Sequence, residues 1–366
     1  MDHETALPIQ TREPARMRNE LLLICFLGAA LLLPGCATSQ RQGHDSQREA
    51  PSARPALTLA PDLEEKILAL DPARVTQTEL REVLAQAPAP RIINIHGGIY
   101  PVHLAMKSFA KFLVGMGYPE ASLKRSGNGA YSFTCYERSE NMAGAIAWYY
   151  EREGLRPMMV GHSQGGIQAV KVLDQLAGRS SAPLAVWNPL TRKSEQRYDI
   201  IDPLTGEARS AASVQLCYAS AVGAGGFTRF LPNQWDMLGR LRKIPDSVEE
   251  FTGFYMGLDI IGGDFGGFGS ANKYEPLDKA IVRNVRLPTG YSHVTVPATE
   301  HLLKDPQIID WINRYTPTEK PRLDVKFDSD SSHILWAADV WHSVKKHWVL
   351  ELQRLIRAKR ALPHAE

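Results

Sequence analysis

Charge of one sign, cysteine and long apolar runs are all scarce in this chain, and each scarcity removes a class of function. Lysine and arginine number 42 against 40 for aspartate plus glutamate in 366 residues, a formal net charge of +2. No field of one sign is available to hold a nucleic-acid backbone, so no nucleic-acid partner is expected. Four cysteines are too few for a disulfide-dense scaffold. Neither Cys-x-x-Cys nor His-x-x-x-His occurs, so the spacing of metal ligands is missing. The glycine-rich stretch Gly262–Gly269 lacks the following Lys-Ser/Thr of a phosphate loop. No metal or other cofactor is called for. The longest apolar run, Leu21–Leu33, has 13 residues, short of the roughly 20 that a spanning helix needs.

That run has the size of a signal-peptide core. It ends in Leu33-Pro34-Gly35-Cys36-Ala37, which resembles the lipobox of bacterial lipoproteins. The resemblance implies removal of residues 1–35, acylation of Cys36 and a membrane anchor through that residue. Residues 1–16 are acidic and proline-bearing, and Met17-Arg18-Asn19 reads as the more ordinary start. Ala37 and Thr38 lack the aspartate associated with inner-membrane retention, which points to the outer membrane, facing the periplasm. Residues 36–60 are polar and read as a disordered tether. The remainder divides into a body over 61–320 and a C-terminal strand and amphipathic helix over 321–366. That helix carries Trp341, Val344, Trp348, Leu352 and Leu355 along one side. Its basic residues, Lys345, Lys346, Arg354, Arg357, Lys359 and Arg360, are expected to form a solvated face.

Within the body, strand and helix patterns alternate, the signature of a parallel sheet covered on both faces. Strands are predicted near 91–95, 130–135, 156–160, 213–220, 251–258 and 292–297. Residues 184–210 are a turn-rich excursion. Residues 227–245 place Phe227, Phe230, Leu231, Trp235, Leu238 and Leu241 at near-helical spacing, either as a lid or as an ordinary packing helix.

The chemistry concentrates in Gly161-His162-Ser163-Gln164-Gly165, between the apolar run Met158-Met159-Val160 and a helical pattern through Ile167, Val170 and Leu173. A Gly-x-Ser-x-Gly between strand and helix is a nucleophile elbow: a turn so tight that only glycine fits on either side. Upstream, Arg91-Ile92-Ile93-Asn94-Ile95 closes on His96-Gly97-Gly98-Ile99. Together these segments resemble the α/β-hydrolase family, in its bacterial lipase and esterase branch, over roughly residues 85–315. The resemblance implies an α/β-hydrolase fold and the chain order serine, acid, histidine. It implies that Ser163 is the nucleophile. The base is expected at His301, where Glu300-His301-Leu302 follows Val294-Thr295-Val296 and precedes Asp305-Pro306 and a helix. His333 is the competitor, and His293 is placed too early in the strand. Asp259 is the expected acid and Asp264 its alternative. The oxyanion donors are expected at the backbone of Gln164 and of Gly98, with Ile99 as the alternative to Gly98. Usual strand order would put Cys135 and Cys217 three places apart, roughly 14 Å, beyond disulfide reach, so two buried thiols are expected.

The activity the resemblance implies is hydrolysis of a carboxylic ester, with an ester or acyl-lipid small molecule cleaved through an acyl-enzyme. A ligand-binding lipoprotein that keeps the fold without turnover, and an acyltransferase with the same triad, are the other classes compatible with these residues.

Overall fold

The computed structural model describes residues 59–224, 232–257, 259–262 and 273–361. Residues 1–35, Cys36 and nearly all of the expected tether lie outside them. At the centre stand six strands, β1 (Ile92–His96), β2 (Phe133–Thr134), β3 (Met158–His162), β4 (Leu216–Val222), β5 (Val248–Met256) and β6 (Ile281–Leu287). Their order is β6-β5-β4-β3-β1-β2, and every pairing is parallel. Among the described residues seven α-helices accompany the sheet: α1 (Pro61–Ala69), α2 (Gln77–Glu82), α3 (Tyr100–Gly115), α4 (Ser139–Glu153), α5 (Gln164–Leu176), α6 (Pro306–Arg314) and α7 (Ile334–Ala361). The chain is thus an α/β protein with a parallel sheet.

Parallel strands need a crossover between each pair, and both faces of the sheet are therefore covered. Ile92, Met158, Val160, Tyr218 and Phe254 belong to one apolar cluster, with α1, α3, α6 and α7. Ile93, Ile95, Met159, Ala219 and Phe251 belong to the other, with α4 and α5. Side chains alternate between the two, as a strand's period of two requires. Local chemistry sets the helix ends. Thr76 and Glu79 form a capping box at α2. Asp305 caps α6 just ahead of Pro306. Gly154 closes α4 at φ 73°, a conformation that glycine adopts without steric cost.

Five predicted strands fall on β1 to β5; the sixth does not. Residues 292–297 form turns, and the last strand is β6, paired with β5 from Glu250↔Ile281 to Met256↔Leu287. β6 was hidden by Arg283 and Arg286 within its apolar pattern. The excursion 184–210 folds as two small hairpins, Trp187–Asn188 with Lys193–Ser194 and Asp199–Ile201 with Ala208–Ser210. Of the stretch 227–245, residues 227–231 lie outside the described residues. Pro232–Met237 forms a 3-10 helix, with Met237 and Leu241 in the core and Trp235 and Leu238 exposed. No strand forms at 323–327.

The expected C-terminal helix is present, but its burial differs from expectation. α7 runs 28 residues and is buried nearly all round rather than along one stripe. Trp336, Trp341 and Trp348 are wholly enclosed, and so are Asp339 and Glu351. Of the six basic residues, Arg357, Lys359 and Arg360 are exposed as expected, whereas Lys345, Lys346 and Arg354 are not. Lys345 is buried and donates to the carbonyls of Val75 at 2.8 Å and Asn313 at 3.2 Å. Lys346 pairs with Glu250, Arg354 with Glu351, and Lys359 and Arg360 with Glu64. Lys345, Lys346, Lys359 and Arg360 thus spend their charge on the body of the protein, a partnership that helical periodicity does not reveal. Among the described residues no helix is long and apolar enough to cross a membrane.

Candidate active site

The carboxyl ends of β1, β3, β4, β5 and β6 come to one edge of the sheet: Ile95 pairs with Gly161, His162 with Val222, Val222 with Phe254, and Met256 with Leu287. In parallel sheets this edge is where ligands bind. Ser163 turns the chain from β3 into α5 with φ 55° and ψ −128°, a region costly for a residue with a side chain. Its N–H donates to the carbonyl of Val222 at 2.8 Å, and its own carbonyl accepts from Gly166 N–H, which holds the turn in place. A Cβ on Gly161 would come within 2.5 Å of the Gly165 carbonyl oxygen, and one on Gly165 would collide with the Ile95 carbonyl. Both glycines are sterically obligatory.

His293 faces Ser163. Its Nε2 lies 2.8 Å from Ser163 Oγ, and its Nδ1 lies 2.8 Å from Asp259 Oδ2. A carboxylate can only accept, so Nδ1 carries the proton and Nε2 accepts from the serine hydroxyl. Asp259 is also held from its other oxygen, where Oδ1 accepts Gly262 N–H at 2.7 Å. A Cβ on Gly262 would strike that carboxylate. Both His293 and Asp259 are buried. The contacts around His293 complete the shell. Gly223, at φ +62°, leaves room for the imidazole, which a Cβ there would approach to 3.0 Å. His162 Nε2 donates to the His293 carbonyl at 2.6 Å. Burial, chiefly, and the neighbouring His293 push the His162 pKa down to about 3, so its ring stays neutral and keeps that donor.

The expected base is corrected here. His301 sits in a 3-10 helix over Glu300–Lys304, with Nε2 3.3 Å from Ser332 Oγ and 3.8 Å from Asp330, and not at Ser163. The competitor His333 contacts Thr295 Oγ1 at 3.1 Å and stacks edge-on to Tyr291. The error follows from the last strand: with β6 ending at Leu287, it is the Tyr291-Ser292-His293 loop, not residue 301, that lies just past the sheet edge. Asp259 meets His293 as the acid position requires, and Asp264 lies outside the described residues.

Beside Ser163 runs the loop after β1. A Cβ on Gly97 would stand 3.0 Å from Ser163 Cβ and 3.4 Å from its Oγ, so Gly97 is the residue that lets this loop close on the serine. Gly98 lies against the Gln164 side chain, and its carbonyl accepts from Tyr136 Oη at 3.3 Å. Ile99 caps α3. Gln164 is the first residue of α5, where backbone N–H groups have no intrahelical acceptor and the helix dipole favours negative charge. His96 braces the loop, its Nδ1 donating to the Gly97 carbonyl at 2.7 Å.

No competing nucleophile or metal centre emerges among the described residues. Cys135 and Cys217 are free and buried, on strands or strand ends three places apart in the sheet order. Burial pushes the Cys135 thiol up to about 12 and the Cys217 thiol well above its ordinary value, leaving both protonated and unreactive at neutral pH. No group of three or more His, Cys, Asp or Glu side chains is placed to hold a metal ion.

His293, Gly97, Gly223 and His162 are the site residues that sequence reasoning missed. One signal pointed to His293: Leu287-Pro288-Thr289-Gly290 marks a strand end and a turn, which makes the histidine three residues later a loop residue. No protein-family model matches this chain, and no curated protein matches it in sequence.

Proposed function

We propose that this chain is a serine hydrolase with an α/β-hydrolase fold that cleaves carboxylic esters through an acyl-enzyme. The observation that carries the reading is the continuous relay Ser163–His293–Asp259, with both links at 2.8 Å. In the first step Ser163 Oγ bonds to the acyl carbon while its proton passes to His293 Nε2. Asp259 holds the imidazole tautomer and stabilises the imidazolium. The carbonyl electron pair moves to oxygen, next to the start of α5 and the loop Gly97–Gly98, where backbone N–H donors at Gln164 and at Gly98 or Ile99 would meet it. Collapse expels the alcohol, which takes the proton from His293. Water, deprotonated by His293, then releases the acid and restores the serine.

Labelling by a fluorophosphonate probe tests this. The wild type is expected to be labelled and to turn over p-nitrophenyl acetate, while Ser163→Ala is not labelled and His293→Ala loses about 10⁴-fold or more in rate. His301→Ala is expected to stay within about twofold, as a substitution away from the site should. A folded wild type that resists the probe, or a loss on His301→Ala matching that of His293→Ala, would refute the relay.

The proposal extends to the cell envelope. Residues 33–37 support a lipid anchor at Cys36, holding the domain on the periplasmic side of the outer membrane. Cys36→Ser should then move the chain from the membrane fraction to the soluble one.

A further inference from the structure

A cavity of about 530 Å³ lies between α5 and the segment 135–140, a size that accommodates a small-molecule ligand. One of its lining residues is Tyr136, whose hydroxyl touches Gly98, so the cavity reaches a residue in contact with the loop that flanks Ser163. Its floor is one stripe of α5. Gln164, against Gly98, is followed at spacings of four, three and four by Gln168, Lys171 and Gln175, all three lining the cavity. At a rise of 1.5 Å per residue the stripe leads about 16 Å away from the serine. Arg240 and Gln234 stand in the far wall.

The lining is the reverse of an acyl pocket. Sites for apolar ligands are lined mostly by apolar side chains with a few polar ones; here amides and charged groups predominate, and Met237 is an isolated aliphatic contribution. Independently, Gln234 is only 3% exposed and its Oε1 has no hydrogen-bond partner among the described residues. Gln234 lines the cavity, so an unspent buried acceptor stands in its wall. At the mouth the Tyr136 ring is 59% exposed, an apolar face with a polar tip. Amides in a row, an unspent buried acceptor and an open aromatic face together suit a ligand with many hydroxyls and apolar ring faces.

We infer that this groove binds the alcohol portion of the substrate, and that this portion is a sugar or similar polyol rather than a lipid. The inference rests on the serine-hydrolase reading and assigns that site its substrate class: a small acyl group carried on a polyhydroxylated alcohol. Ser163 would take the acyl group, and the polyol would leave along α5 with the proton from His293.

The test compares three substrates on the full chain: p-nitrophenyl acetate, which cannot fill the groove, an acetylated cello-oligosaccharide, and p-nitrophenyl palmitate. Lys171→Met combined with Gln175→Leu alters half-buried positions on the helix surface, and Gln234→Leu removes the buried acceptor. The double variant is expected to lower kcat/KM on the sugar ester tenfold or more, through KM, with p-nitrophenyl acetate unchanged within about twofold. Gln234→Leu should show the same selective loss. Unchanged sugar-ester kinetics in the double variant, or a tenfold preference of the wild type for the palmitate over both acetates, would overturn the groove assignment while probe labelling of Ser163 still stood. Absence of labelling in the wild type would instead remove the hydrolase reading, and the groove assignment with it.

Discussion

On the face of the sheet under α4 and α5, helices are held by closeness. A Cβ on Gly166 would approach Ala221 Cβ to 2.9 Å, and Gly165 already touches the backbone of β1. On the opposite face α7 is held by buried charge as well as by tryptophans. Arg283 on β6 makes a two-pronged pair with Asp339, at 2.5 and 2.8 Å. Arg156 meets Glu351 at 2.6 Å, and Lys346 and His347 converge on Glu250. The difference matches what each face has to do. Ser163 must be placed to within tenths of an ångström, and backbone contact without side chains between is stiff. A helix of 28 residues has several axial positions that bury similar apolar area, and fixed charge pairs select one of them.

The largest effect should come from breaking that second device. Arg283→Met leaves Asp339 buried without a partner and should cost about 3–5 kcal/mol in urea unfolding. Arg283→Met with Asp339→Leu should recover most of it. If the single and double variants are equally stable, charge pairing does not distinguish the two faces. Next comes the stiff face. Gly165→Ala should lose about 1–3 kcal/mol and at least tenfold in probe labelling. Full labelling after a stability loss would mean that α5 can retreat from β1 without moving Ser163.

Two titrations sharpen the contrast. His162, on the site side, has a pKa of about 3 when folded against an ordinary 6.5. Between those values the unfolded chain binds the extra proton, so stability present above pH 6.5 is lost as pH falls, at about 1.4 kcal/mol per pH unit. His162→Gln should flatten that slope. On the α7 side, burial lowers Lys345 to about 8 from 10.5. There too the unfolded chain binds more protons inside the window, so stability should rise by about 1 kcal/mol between pH 8 and 9. Lys345→Met should remove the rise, as measured by unfolding at fixed urea across pH.

The glycine-flanked Ser163, the strand before His96 and Asp259 were all legible, because each is governed by a local rule: a tight turn, a β-branched run, an acid just past a strand. β6 and the burial of α7 were not. Arg283 breaks the apolar pattern of β6 because its partner, Asp339, is 56 positions away, and such a pairing leaves no mark on local periodicity. The same blindness turned Lys345 and Arg354 into surface residues. It also hid the histidine that adjoins Ser163, since Val294-Thr295-Val296 looks more like a strand than Ile281–Leu287 does. Local propensity was overruled where the third dimension supplied the partner.

The topology of the relay also sets when it can exist. Ser163 and His293 are 130 positions apart, and the loops that bear Asp259 and His293 are positioned only once β4, β5 and β6 are joined to β3 in the sheet. Helices form in about a microsecond, whereas closing distant strands is far slower. A refolding chain should therefore regain its helical circular dichroism well before it regains an attackable hydroxyl. For a protein exported unfolded, as the lipoprotein reading requires, catalysis would be switched on by the last act of folding and would stay silent on the way to the envelope.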